Sequence, residues 1–142
     1  MPVFVDTNVL VYARDETEGG KQLRAAAWLE HLWRTRNGRL SYQVLQEFYV
    51  TVTAKLRPGL STGEARSDVR AFLAWRPMAV DERVLEDAWS EQDHNQLSFW
   101  DALIVAAARA TGCDRLLTED LADGTSYGDI VVVDPFAHEP ED

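Results

Sequence analysis

Four acidic residues in this chain sit where an apolar strand ends or an apolar helix packs: Asp6, Glu47, Asp101 and Asp120. Val3-Phe4-Val5-Asp6 and Arg115-Leu116-Leu117-Thr118-Glu119-Asp120 read as buried strands running straight into acid. Glu47 and Asp101 lie in Val44-Leu45-Gln46-Glu47-Phe48-Tyr49-Val50 and Phe99-Trp100-Asp101-Ala102-Leu103-Ile104-Val105, both with helical apolar faces. A carboxylate removed from water is costly without a partner, and several brought together repel one another. A divalent cation held through oxygen relieves both penalties, and three or four carboxylates suit Mg²⁺ or Mn²⁺, one or two ions per site. Such an ion activates water at neutral pH and neutralises a phosphate group. Phosphodiester hydrolysis to 5′-phosphate and 3′-hydroxyl ends is therefore the chemistry open to this set. With no imidazole to activate a 2′-hydroxyl, a cyclic-phosphate route is not expected.

The elements that would position these acids follow from the apolar pattern. Val3 to Val5 is short and apolar and reads as a central strand, ended by the turn-forming Asp6-Thr7-Asn8. A long helix is expected after Gly19-Gly20, carrying Leu23, Ala26, Ala27, Leu29 and Trp33 and stopped by Asn37-Gly38. Arg39-Leu40-Ser41 is a very short strand at best. The next helix runs from about Gln43 to Leu56 and is broken by Arg57-Pro58-Gly59. Ser61 and Glu64 have the spacing of a capping box, opening a helix with Val69, Phe72 and Leu73. Met78-Ala79-Val80 is a candidate strand, and Glu82 to His94 is helical. Ser98 caps a helix from Phe99 to about Thr111, on which Asp101, Ile104, Val105 and Ala108 share one face. Arg115 to Thr118 and Ile130 to Val133 are the last strands, joined by a turn-rich loop over 123–129. Strands alternating with helices, each strand a short apolar run, predict an α/β fold with a parallel sheet covered on both faces. Ligand sites in such folds lie off the carboxyl ends of the strands, where Asp6 and Asp120 fall.

Composition narrows the function classes. The 142 residues, 46% of them hydrophobic, fit one domain spanning 1–142, with 137–142 expected to be a flexible acidic tail. The formal charge of −10 argues against a broad basic face for duplex nucleic acid. A local group of arginines can still hold phosphates on an acidic protein. Arg14, Lys55 and Arg66 are candidates for that role, with solvated surface as the competing reading. A single cysteine, Cys113, leaves no internal disulfide or cysteine-based zinc site. No GxGxxG, P-loop, HExxH or GxSxG run occurs. No apolar run reaches the roughly 20 residues of a membrane span, and a cytoplasmic location is the default expectation. Trp33, Trp89 and Trp100 are expected to serve core or dimer packing rather than as base-stacking platforms.

In order and placement, Val3-Phe4-Val5-Asp6-Thr7-Asn8, Ser41-Tyr42-Gln43-Val44-Leu45-Gln46-Glu47-Phe48, Ser98-Phe99-Trp100-Asp101-Ala102-Leu103-Ile104 and Leu116-Leu117-Thr118-Glu119-Asp120-Leu121 together resemble a PIN domain. The likeness is closest to the VapC-type toxins of type II toxin–antitoxin modules and runs from Val3 to Phe136. It implies a three-layer α/β/α sandwich around a short-stranded parallel sheet. It also implies an Mg²⁺- or Mn²⁺-dependent endoribonuclease in which Asp6, Glu47, Asp101 and Asp120 are the catalytic, metal-holding acids. Asn8 would orient Asp6 or a water, and Thr118 would support Asp120. The resemblance further implies a homodimer and a cognate antitoxin that inserts a C-terminal segment near the metal site. Asp123 and Asp129 lie near the fourth acid, and either could share its role; Glu119 is adjacent as well.

Rival readings remain. A haloacid-dehalogenase-like phosphatase also opens with a strand-ending Asp, but needs a second Asp where this chain has Asn8. A non-catalytic PIN-like module that binds protein would hold Mg²⁺ weakly and tolerate alanine at Asp6. An RNA-processing or DNA-directed nuclease outside any toxin pair would share every residue above.

Overall fold

The computed structural model describes residues 1–141 and places a five-stranded sheet between helices. The strands are β1 (Val3–Val5), β2 (Gly38–Arg39), β3 (Arg115–Leu117), β4 (Ser126–Tyr127) and β5 (Ile130–Val133), in the order β2-β1-β3-β5-β4. Four of them run parallel, with Val3 opposite both Gly38 and Arg115, and Leu117 opposite Val133. β4 adds an antiparallel edge, Tyr127 facing Ile130. This strand lies within the stretch read as loop, because two residues between turn formers carry no periodic signal. Met78 forms only an isolated bridge to Ser41 in place of the expected strand.

The helices are α1 (Thr7–Tyr12), α2 (Gly19–Thr35), α3 (Tyr42–Val50), α4 (Thr62–Phe72), α5 (Glu82–Asn95) and α6 (Phe99–Ala110). α1 replaces a plain turn after β1, and Asp6 caps it by accepting from Thr7 N at 2.7 Å. α3 begins one residue early, under the Ser41 cap, and continues through a π-helical segment, Thr51–Lys55. The Ser61–Glu64 capping box forms as expected, and Ser98 accepts from Asp101 N at 3.1 Å to start α6.

Val3, Phe4, Val5, Leu116 and Leu117 are fully enclosed, consistent with helices on both faces of the sheet. Each such side chain contributes about 1.5–3 kcal/mol by leaving water. α6 supplies the most continuous buried face, Ala102 to Ala108. α2 differs from expectation. It buries Ala25, Trp28, Leu29 and Leu32, while Leu23 is 74% exposed. Two apolar stripes cross this helix, and the one containing Trp28 wins because its indole also donates to the Pro135 carbonyl at 3.1 Å. Trp33, Trp89 and Trp100 are exposed, so none of them is core. The expected tail, 137–142, ends in Asp142, outside the described residues; within it the His138 carbonyl accepts from Trp28 Nε1 at 3.0 Å. No described helix is long and apolar enough to cross a membrane.

Candidate active site at the carboxyl end of the sheet

β1 delivers Asp6 to the sheet rim as a buried carboxylate, 7% exposed. Its backbone N–H donates to the Leu117 carbonyl at 3.0 Å, which fixes the end of β1 beside the end of β3. The next residue of that strand end is Thr118, fully buried, whose hydroxyl donates to Asp6 Oδ2 at 2.8 Å. Asp6 Oδ1 accepts from Thr7 N. Both carboxylate oxygens are therefore held before any ligand arrives.

Asn8, in the first turn of α1, ties three parts together. Its Nδ2 donates to Thr118 Oγ1 at 2.9 Å, to Asp120 Oδ2 at 3.2 Å, and at longer range to Asp6 Oδ2 at 3.4 Å. Thr118 Oγ1 also accepts from Asp120 N at 3.1 Å. The Asp6-Thr118-Asn8-Asp120 chain of contacts thus links two strand ends and a helix.

Glu47 reaches the same group from α3. Its Oε2 accepts from Thr7 Oγ1 at 3.0 Å, and its Oε1 from Gln43 Nε2 at 3.0 Å. Asp101 enters from the first turn of α6, half-buried at the head of the face that buries Ile104, Val105 and Ala108. The helix N-terminus there favours negative charge.

Electrostatics couple the four. Burial pushes the Asp6 carboxyl up from 3.8 to about 6, with Asp120 and Glu47 adding repulsion and the Thr118 and Thr7 hydrogen bonds opposing it. Asp120 is also raised, first by loss of water around its carboxyl and then by Asp101, Glu119 and Glu47, while the Asn8 amide pulls the other way. Among the described residues, no three acid, His or Cys groups already stand close enough to hold an ion between them. The donor set is carboxylate oxygen throughout. That chemistry fits a hard divalent cation that keeps part of its own water, and such a cation would offset the mutual repulsion.

Two of the other acids near the fourth position, Glu119 and Asp123, are engaged elsewhere. Glu119 pairs with Lys21 Nζ at 3.0 Å. Asp123 accepts from Asp134 N at 2.9 Å and faces His138 Nε2 at 2.8 Å, and Asp129 is exposed. Arg14 is held by both carboxylate oxygens of Asp68, at 2.5 and 2.7 Å. Sequence reasoning missed Thr7 and Gln43 as partners of Glu47. The Gln43–Glu47 spacing of four on a helix was a usable signal; the Thr7 contact, across 40 residues, carried none.

Comparison with known proteins agrees with this architecture. A family model described as PIN domain matches residues 3–122. Two solved structures share the fold. One is a toxin–antitoxin complex from Klebsiella pneumoniae, at 18% identity and a TM-score of 0.61, covering 98% of this chain and 99% of that one. The other is VapBC2 from Rickettsia felis bound to a DNA fragment from their promoter, at 18% identity and a TM-score of 0.58, covering 93% and 97%. No curated protein matches.

Proposed function

Because the chain belongs to the PIN-domain family, whose members are generally nucleases, we propose that it is a divalent-metal-dependent endoribonuclease acting as the toxin of a type II toxin–antitoxin pair. The observation that carries this reading is the hydrogen-bond network that joins Asp6, Asp120 and Glu47 through Thr118, Asn8 and Thr7 at the sheet rim, with the Asp101 charge acting on Asp120. Asp6, Asp101 and Asp120, with Glu47, would hold Mg²⁺ or Mn²⁺. When bound, the ion supplies activation of water and neutralisation of the scissile phosphate.

The chain's own groups set the geometry. Thr118 and the Thr7 N–H fix the orientation of the Asp6 carboxylate through its two oxygens. Asn8 holds Asp120 toward Asp6, and Thr7 and Gln43 turn Glu47 to the rim. Asp6 carries a raised pKa, so occupation of the site displaces a proton from part of the population near pH 6.

A protein partner is supported by a second feature. A groove of about 410 Å³ between α3 and α4 is lined almost wholly by apolar surface, including Leu45, Tyr49, Val50 and Val69, with Arg66 and Arg70 at its border. Leu45, Tyr49 and Val50 of its lining come from the same helix as Glu47. This suits a cognate antitoxin, as in the two toxin–antitoxin complexes that share the fold. The exposed Trp89 and Trp100 suit a homodimer contact.

Purified protein incubated with a mixed RNA panel, in Mg²⁺ or Mn²⁺ and in EDTA, tests the proposal. Metal-dependent cuts with 5′-phosphate ends, absent in Asp6→Asn, are expected. Cutting of DNA in preference to RNA would replace the toxin reading with a DNA-directed nuclease. Folded, partner-free protein that neither cuts nor takes up Mn²⁺ by calorimetry would sink the enzyme reading in favour of a binding module.

A further inference from the structure

The opposite end of the sheet carries a second feature, built from positive charge and aromatic surface. A cavity of about 850 Å³ opens there, lined by Arg36, Arg39, Arg76, Trp33, Trp75 and Thr111 among others. Among the described residues no Asp or Glu lines it, in a chain with 24 acidic residues against 14 Lys and Arg. Thr111 follows the last turn of α6 and Asp101 lies in the first, so roughly 15 Å of helix separates this cavity from Asp101.

The three guanidiniums are poorly committed. Arg39 donates through Nη1 to the carbonyls of Arg36 and Gly38, at 3.1 and 2.9 Å, which anchors it on β2 and leaves its other donors open. Arg36 and Arg76 are exposed, and their guanidiniums make no ion pair or hydrogen bond among the described residues. Both also occupy left-handed backbone, at φ 60° and 53°. A non-glycine residue there is strained, and such strain concentrates at ligand sites. Helix dipoles favour cations at the two helix ends that Arg36 and Arg76 close. They do not explain a third arginine on the adjoining strand, or the exclusion of every acid from the wall.

The aromatic wall is closely packed. Trp33 packs on Trp75 with ring centroids 5.1 Å apart and on Phe72 at 5.5 Å, while Phe72 meets Trp75 edge-on at 5.0 Å. Trp33 nevertheless keeps 39% of its surface exposed at the cavity. A braced, half-open indole beside unpaired guanidiniums is suited to a flat ring joined to a phosphate.

We propose that this cavity binds a nucleotide unit, the phosphate on Arg36, Arg39 and Arg76 and the base against Trp33. The unit comes either from an RNA strand that also reaches the carboxylate end or from a free nucleotide. The test is calorimetry and tryptophan fluorescence in EDTA, so that nothing depends on cleavage. The probes are AMP, ATP, inorganic phosphate and a short 5′-phosphorylated RNA. Saturable binding is expected, weakened about tenfold or more in Arg36→Gln/Arg76→Gln. The salt slope for RNA should fall by about 0.7 for each arginine removed. Trp33→Leu should bring the nucleotides down to the affinity of inorganic phosphate. RNA favoured over ATP and AMP assigns the source to a strand, and the reverse assigns it to a free nucleotide. Absence of binding by every probe, or unchanged binding by the double arginine variant with its melting temperature retained, overturns the proposal.

Discussion

The two ends of the sheet hold their charges by opposite means. At the carboxyl end, Asp6, Asp120 and Glu47 are each fixed by hydrogen bonds from named side chains: Thr118, Asn8, Thr7 and Gln43. At the amino end, the arginines project over an aromatic triangle whose members hold one another by packing. Polar bracing gives direction and depends on each donor and acceptor being kept. Packing gives rigidity and fails when a volume changes. Substitutions among the acids should therefore remove activity and leave the fold, whereas those beneath the arginines should weaken the fold and leave the chemistry.

The largest effect expected is on Asp101→Asn. The Ser98 cap uses the backbone N–H of residue 101, so α6 still starts correctly. Cleavage of RNA in Mn²⁺ should fall by about 10³-fold, the scale seen when one group that stabilises developing charge is removed. Urea denaturation should keep its midpoint. A lost fold at wild-type specific activity would reverse the contrast between the two ends.

Next comes the pH response of the metal-free protein. The Asp6 carboxyl is raised from 3.8 to about 6, so the folded chain holds this proton more tightly than the unfolded one. The resulting stability is fully present below the unfolded value of about 4 and is lost as pH rises through about 6. Asp6→Asn lacks this dependence. In EDTA, the stability difference should move toward the variant by on the order of 3 kcal/mol between about pH 4 and pH 7. Parallel curves for the two proteins would show that Asp6 is not burdened by its burial.

A smaller effect is expected at the amino end. Gly38 begins β2 directly against the Trp75 indole, and a Cβ there would overlap that ring. Gly38→Ala should cost about 1–3 kcal/mol, measured by chemical denaturation, as Trp75 is forced to shift. The Mn²⁺ affinity of the carboxylate end, measured by calorimetry per folded molecule, should stay unchanged. Loss of Mn²⁺ affinity in fully folded Gly38→Ala would mean that the two ends are coupled through β2.

The sequence was most legible where one signal governs one element. The apolar run of β1, the Ser98 cap and the uninterrupted face of α6 could be read directly, because burial on both sheet faces leaves no competing pattern. The acids followed from those elements. What could not be read depended on partners distant in the chain. The buried face of α2 turned on Trp28 meeting the Pro135 carbonyl. β4 exists because β5 offers it an edge. The arginine cavity joins residues 33–39 to 74–76, and no local pattern announces it.

Thr118→Val should produce the mildest of these effects, and it probes how the acid end is braced. Valine keeps the shape and removes the hydroxyl that donates to Asp6 and accepts from Asn8 and Asp120 N. The side chain is fully enclosed, so water cannot substitute at that point. Leaving these groups short of one partner costs about 1–3 kcal/mol. That cost is partly offset in the variant, because Asp6 also loses the hydrogen bond that favours its charged form and becomes protonated more readily. The net destabilisation in EDTA should therefore be about 1 kcal/mol near pH 5 and larger near pH 8, where Asp6 must ionise. The Mn²⁺ affinity, followed by calorimetry, should fall more at the lower pH, because the ion must displace a proton held more tightly. Equal losses at both pH values would show that Thr118 acts on shape alone, and that the polar bracing credited to the carboxyl end lies with Asn8.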